Sequence, residues 1–155
     1  MPVEIALADL AGHVGKTLGP TESLKLSQKM IDEFADTTRD HQWVHVDVDR
    51  ATRERGGTIA HGYLVLSLIP QFTAQLLAVT GVEYGLNYGL NRVRFISPAL
   101  GGSDIFATQT ITKVEAKSGG ILFTSEVAIA AVNAERPICL AETLVLAFPG
   151  AGRLE

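Results

Sequence analysis

The stretch Gly56–Ala78, GGTIAHGYLVLSLIPQFTAQLLA, decides the fold. It opens on glycines and then turns apolar on nearly every face, as a helix does when other structure encloses it. The pattern predicts a buried central helix from Gly62 to about Ala78, kinked where Pro70 removes a backbone donor. What can enclose such a helix follows it in the chain. In GGILFTSEVAIAAV, Ile121, Phe123, Val127 and Ile129 alternate with Leu122, Thr124, Glu126 and Ala128, and PICLAETLVLAF continues in the same way after a NAER turn. That period of two predicts long antiparallel strands. Two earlier runs, Leu86 to Phe95 and Asp104 to Val114, are joined by SPALGG, whose proline and glycines break pairing and turn the chain. One buried helix followed by such strands gives an α+β architecture, a sheet curved around a helix.

Upstream of the helix the chain reads as support for it. After a short strand candidate, Ser23 to Leu26, the residues Met30, Ile31, Phe34 and Ala35 fall at helical spacing, with Ser27 placed to cap the N-terminus and the end near Thr37. The following TTRDHQWVHVDVD is polar, β-branched and irregular, so it reads as an ordered loop. Asp47 or Asp49 then stands as the cap of a short helix through Arg50 to Arg55.

Composition sets what this architecture can serve. The 155 residues, with 46% apolar, suit one domain spanning residues 1–155, and no repeat, low-complexity tract or polar linker divides them. A net charge of −4 gives no general pull toward nucleic acid or an anionic membrane, so an anionic ligand needs a local site. The longest apolar run is too short to span a bilayer. MPVEIALADLAGHVGK carries acids early and lacks the pattern of a secretory signal, so a cytoplasmic protein is expected. The lone Cys139 has no partner in the chain, fits a reducing compartment, and reads as a small buried core residue.

The chemistry-bearing residues concentrate in Phe34-Ala-Asp-Thr-Thr-Arg-Asp40-His-Gln-Trp-Val-His45-Val-Asp47 and, at the start of the central helix, Ala60-His61-Gly62. This composite resembles the MaoC-like, or hydratase-2, branch of hot-dog proteins: a helix ending in F-A-x-x-[ST]-x-D, then x-[NQ]-x-x-H-x-D, then H-G. Asp40, Gln42, His45, Asp47, His61 and Gly62 match in type, order and approximate spacing. Arg92-Val-Arg94-Phe95-Ile-Ser-Pro98 resembles the family's R-F-x-x-P-V strand, and the later strands extend the likeness over most of the chain. Trp43 stands where a proline is common, and Leu100-Gly101-Gly102-Ser103-Asp104 only approximates the V-x-x-G-D turn.

The resemblance implies a hot-dog fold and reversible hydration of a trans-2-enoyl thioester to an (R)-3-hydroxyacyl thioester, carried by coenzyme A or a carrier protein. It also implies a homodimer with the acyl tunnel near the dimer interface, and no cofactor beyond the coenzyme A of the substrate. Adding water to a conjugated thioester needs a base for the water, an acid for the alpha carbon and donors for the enolate oxygen. Asp40 and His45 are the implied acid–base pair, and an imidazole exchanges protons near neutrality. Without the motif, Asp40 reads as a turn cap and His45 as a packed loop residue. Gly62 is the candidate oxyanion donor, because the first N–H groups of a helix lack intrahelical partners and a glycine admits close approach.

Gln42 and His61 are candidate substrate contacts, with His61 read mainly as structural. Arg92 and Arg94 either bind coenzyme A phosphates or form a solvated strand face. Ser67, inside an apolar helix, reads as a hydroxyl bonded back to its own helix.

Three alternatives stand beside this reading. His41, His45, Asp47, Asp49 and His61 offer enough nitrogen and oxygen for a metal, yet their spacing matches no zinc motif, and no metal is expected. A hot-dog thioesterase would need a carboxylate on the central helix, which has neither Asp nor Glu from Gly62 to Ala78. A catalytically silent acyl-binding protein shares the fold, since fold alone does not establish activity.

Overall fold

The structure, a computed structural model, describes residues 1–150. Strand β1 (Val3–Ala6) leads through a 3-10 turn (Leu7–His13) to two short strands, β2 (Thr17–Leu18) and β3 (Leu24–Lys25). Helix α1 (Gln28–Thr38) follows, then α2 (Trp43–Val46) and α3 (Val48–Arg55). The central helical segment is α4 (Gly62–Ser67) and α5 (Ile69–Leu76), and β4 (Leu77–Thr80) continues directly from it. Four long strands complete the fold: β5 (Val82–Phe95), β6 (Asp104–Lys117), β7 (Gly120–Ala131) and β8 (Cys139–Pro149).

The long strands form one antiparallel sheet in the order β2-β6-β7-β8-β5, with β3 also on β6. Register shifts between Ile111 and Lys113 on β6, and at three places on β5, mark bulges. Each bulge bends its strand, so the sheet can curl around the helices. Along β6 the alternate residues Ile105, Ala107, Gln109 and Ile111 are buried. Of these, Ile105 and Ala107 join Val127, Ile129, Cys139 and Ala141 in the inner face against which Val65, Leu68, Ile69 and Phe72 pack. The α+β architecture expected from the alternating strands, and the hot-dog fold the resemblance implies, are the ones observed, and Cys139 is buried as expected.

The central helix differs from the expected Gly62–Ala78 span in two ways. It is interrupted at Leu68, whose N–H tightens onto the Val65 carbonyl, and α5 then starts with Pro70 in its first turn. A proline costs nothing at that position, because the N–H it lacks has no intrahelical partner there. The chain therefore restarts the helix ahead of Pro70 instead of bending through it. The helical segment also ends at Leu76: Leu77–Thr80 pairs in parallel with Val3–Ala6. Helical periodicity gave way to pairing with a segment far away in sequence.

The smaller elements follow their caps. Ser27 Oγ accepts from the Met30 N–H at 3.2 Å and starts α1, which stops at Arg39 in a left-handed conformation (φ 62°, ψ 24°). Asp47 Oδ1 accepts from the Arg50 N–H at 3.0 Å and starts α3 at Val48, two residues earlier than expected. The stretch expected to be loop throughout holds the single helical turn α2, closed by Asp47 N–H donating to the Trp43 carbonyl. Ser67 donates to the Tyr63 carbonyl at 2.6 Å, the back-bonded hydroxyl the sequence suggested.

Candidate active site

Three local devices place the candidate catalytic groups. The left-handed Arg39 ends α1 and turns the chain so that Asp40 begins the connection to α2. On α2, His45 Nδ1 bonds the Ile59 carbonyl. A carbonyl only accepts, so Nδ1 carries the proton and a neutral His45 keeps its lone pair on Nε2. His61, the residue before α4, bonds the Asp40 carbonyl through Nε2 at 2.9 Å and so ties the Asp40 turn to the helix start. Its ring is buried, stacks on His45 with 3.8 Å between centroids, and lies 5.0 Å from that of Phe34.

Asp40, His45 and His61 thereby present ligand atoms that all lie within 4.8 Å of one another. One water, at about 2.8 Å from each of two such atoms, spans that separation. The Asp40 side chain is exposed and its Oδ1 lies 3.4 Å from the Gln42 N–H, whereas His45 is half-buried. A carboxylate and an imidazole this close can take and return a proton through one water. His61 Nδ1 is buried with no hydrogen-bond partner among the described residues.

Beside this group lies a cavity of about 380 Å³, lined by His45, Ile59, Gly62, Val65, Phe95 and Ile138 among others. Gly62 is the first residue of α4, so its N–H is one of the helix's unpaired donors. A side chain here would reduce access: a Cβ would meet the Phe95 ring at 3.0–3.1 Å. The closeness of that ring, itself edge-on to Tyr63, gives the glycine a physical reason.

Not every expected residue converges on this place. Gln42 caps α2 through its backbone only, and its exposed side chain makes no cap hydrogen bond. Arg92 and Arg94 are exposed on β5 and line neither this cavity nor the larger one described below. Arg94 bonds the Val93 carbonyl at 2.7 Å, and Arg92 stands opposite Glu142 on β8.

The five-residue ligand set does not assemble either: His41 bonds Asp36 at 2.9 Å and Asp47 caps α3, which leaves His45 and His61 with Asp40. Sequence reasoning missed Gln28, whose Nε2 donates to the His45 carbonyl at 2.8 Å and whose Oε1 accepts from Thr58 at 2.6 Å. Gln28 thus holds α2 to α1 and to the strand-like approach to His61. A glutamine at a helix N-terminus carries no signal of that role.

A helix pair embraced by an antiparallel sheet, with this cluster at the first helix's N-terminus, defines a hot-dog protein. Residues 9–133 match the MaoC like domain, and the chain belongs to that family, whose members are dehydratases and hydratases of the MaoC type. It is similar to 3-hydroxyacyl-thioester dehydratase Z of Mycobacterium tuberculosis (strain ATCC 25618 / H37Rv), 39% identical over 142 residues, which cover 90% of this chain and 94% of that protein. Nodulation protein N of Rhizobium leguminosarum bv. viciae is 38% identical over 147 residues, 92% of this chain and 91% of that one. Among solved structures, the (R)-hydratase from A. caviae involved in PHA biosynthesis superposes with a TM-score of 0.67 at 21% identity, covering 85% of this chain and 94% of that chain. At that identity the likeness is one of fold.

Proposed function

We propose that the protein reversibly hydrates trans-2-enoyl thioesters to (R)-3-hydroxyacyl thioesters, with Asp40 and His45 sharing the reacting water. The convergence of Asp40 and His45 within 4.8 Å, beside the N-terminus of α4, is the observation that carries this reading. In the hydration direction, one member of the pair takes a proton from water as its oxygen bonds the beta carbon, and the other delivers a proton to the alpha carbon. The Gly62 N–H donates to the thioester oxygen as enolate charge develops there. His61 is a positioning residue in this scheme: it holds the Asp40 backbone and one face of the His45 ring. No cofactor beyond the substrate's own coenzyme A or carrier arm enters it.

The thiol-bearing arm enters by the exposed Asp40 side. The exposed Gln42, two residues beyond Asp40, is the polar contact this reading assigns to the arm, and the exposed Arg92 and Arg94 are its outlying charges for phosphate. We further propose a homodimer. Among the described residues strand β5 is an edge of the sheet, paired only with β8, and exposes Tyr84, Leu86, Tyr88 and Leu90. An edge bearing such residues is a surface that a second copy covers. No helix among the described residues is long and apolar enough to cross a membrane.

The experiment is to follow the conjugated enoyl absorbance with crotonyl and longer acyl thioesters while assaying free thiol in parallel. Loss of absorbance without thiol release supports hydration. Thiol release with the double bond intact would establish a thioesterase, and binding without either change a silent acyl-thioester protein.

A further inference from the structure

A second, larger cavity of about 590 Å³ lies between the helices and the sheet, and includes Leu66, Ile69, Thr73, Gln109, Phe123 and Thr143 in its lining. It follows the first along α4 and α5. Gly62 and Val65 line the cavity at His45, and Leu66, Ile69, Thr73 and Leu77 line the larger one. From Gly62 to Thr73, steps of three or four residues keep these on one side of α4 and α5, and Leu77 follows at the start of β4. The strand opposite runs in the complementary order, with Phe95 at the first cavity and Leu90, Gly89 and Asn87 at the second. An acyl chain whose carbonyl sits at Gly62 is therefore directed toward Thr73, about 16 Å along the helical rise.

The floor at that far end is not apolar. Gln109, on the inner face of β6, is 4% exposed, and its Nε2 donates to Ser125 Oγ at 3.1 Å on β7. Thr143 of β8 adds a third polar side chain, donating to the Ser125 carbonyl at 3.3 Å. The hydroxyls around the cavity are accounted for: Ser67 donates to Tyr63, Thr73 to Pro70 and Thr143 to Ser125. Gln109 Oε1 is buried and has no partner among the described residues. An unpaired amide oxygen in a low-dielectric interior is costly, and a site that leaves one favours ligands that satisfy it.

We infer that the enzyme's preferred acyl chain carries a hydroxyl in its distal part, hydrogen-bonded to Gln109. The terminal torsion of a glutamine is broad, so a small turn brings the amide toward the cavity. A hydroxyl both donates and accepts. It therefore suits the amide in either orientation, whether the oxygen or the NH₂ group faces it. A carboxylate would not serve, because the three polar side chains include no cation to offset its desolvation. The inference rests on the hydration reading for the end of the groove that holds the thioester, while its own observation is the amide at the other end.

The test compares trans-2-enoyl thioesters of one length with and without a hydroxyl at the chain end, over a length series, in the wild type and in Gln109→Met. Met keeps the length and removes the amide. The wild type should favour the hydroxylated member of the best-fitting pair by about tenfold in kcat/KM, and Gln109→Met should abolish or reverse the ratio. A wild type that favours the plain chain at every length, or a preference that survives Gln109→Met, would overturn the inference.

Because kcat/KM requires turnover, titration calorimetry of the wild type with the matching saturated thioesters, hydroxylated and plain, is run alongside. Tighter binding of the hydroxylated ligand without any hydration would retain the Gln109 contact and remove the hydratase reading. Hydration with equal binding of both ligands would do the opposite. The calorimetric arm also decides the matter if Gln109→Met does not fold.

Discussion

The imidazoles of His45 and His61 lie face to face, 3.8 Å between centroids, and each ring spends one nitrogen on a backbone carbonyl. Those carbonyls belong to Ile59 and Asp40, so the stack fastens α2, the Asp40 turn and the start of α4 into one unit. If His45 and Asp40 act on the same water, Asp40→Asn and His45→Gln should each lower kcat by about a hundredfold or more while the protein stays folded. The double variant should be scarcely worse than either single one, as for groups that work as a unit. Steady-state kinetics on the four proteins checks this; near wild-type turnover in either single variant would remove that residue from the chemistry.

Gly62→Ala tests the approach to the helix N-terminus rather than the donor, since alanine keeps the N–H. Its Cβ would press the Phe95 ring at 3.0–3.1 Å, and that residue is 48% exposed and able to swing aside. Stability should therefore fall by only about 1 kcal/mol, at the low end of overpacking costs. Turnover should drop by about tenfold, because the displaced ring and the new methyl crowd the carbonyl's place. Phe95→Leu in the same chain should recover part of the loss. Full turnover in Gly62→Ala alone would put the thioester oxygen elsewhere.

Gln28→Met removes three hydrogen bonds at once, to Asp32, the His45 carbonyl and Thr58, and leaves the buried Thr58 hydroxyl without its acceptor. Urea unfolding should show a loss of about 1–3 kcal/mol. Because the lost partner on the other side is the His45 carbonyl, kcat should fall more than KM rises. An equal change in both would make Gln28 a purely structural strut.

Burial pushes the Cys139 thiol up to about 11. Thiolate is the reactive form, so the native protein should resist thiol reagents near neutrality and react only as it unfolds. The sign of the pH effect follows. The thiol stays neutral in the fold while the unfolded chain ionises from about pH 9, so this contribution to stability is complete below that pH and is lost as pH rises toward 11. Cys139→Ala should flatten that part of the stability profile.

Asp40, His45 and His61 are also a ligand trio in form. Extended chelation is expected to leave hydration unchanged. If chelation abolishes it and added zinc restores it, the trio is a metal centre and the water is activated by the ion.

What could be read from the sequence was local. Ser27 and Asp47 reveal themselves as caps because a cap needs only its own next turn, and the buried alternation along β6 to β8 needs only the strand itself. Asp40, His45, His61 and Gly62 were singled out by motif, and the structure brings them to one place. The errors came where the deciding partner is distant. Leu77–Thr80 follows smoothly from a helix and becomes strand because Val3–Ala6 lies alongside it. Gln28 acquires its function from a carbonyl on another helix, and where Arg92 and Arg94 stand relative to the cavities is set by the pairing of β5 with β8. No pattern within any of those segments encodes such partners.

The polar strip of Gln109, Ser125 and Thr143 has a consequence for how the molecule comes apart. It lies between two apolar clusters, one under α4 and α5, the other joining Ile5, Leu7 and Leu10 to Ile111, Phe123 and Ala147. Cooperative units in a protein tend to follow its contiguous apolar contacts. The amino-terminal strand and its turn thus form a latch that can lift from the far end of the groove while the helices stay seated. Amide exchange should find the β1–β4 ladder opening well before β6–β8.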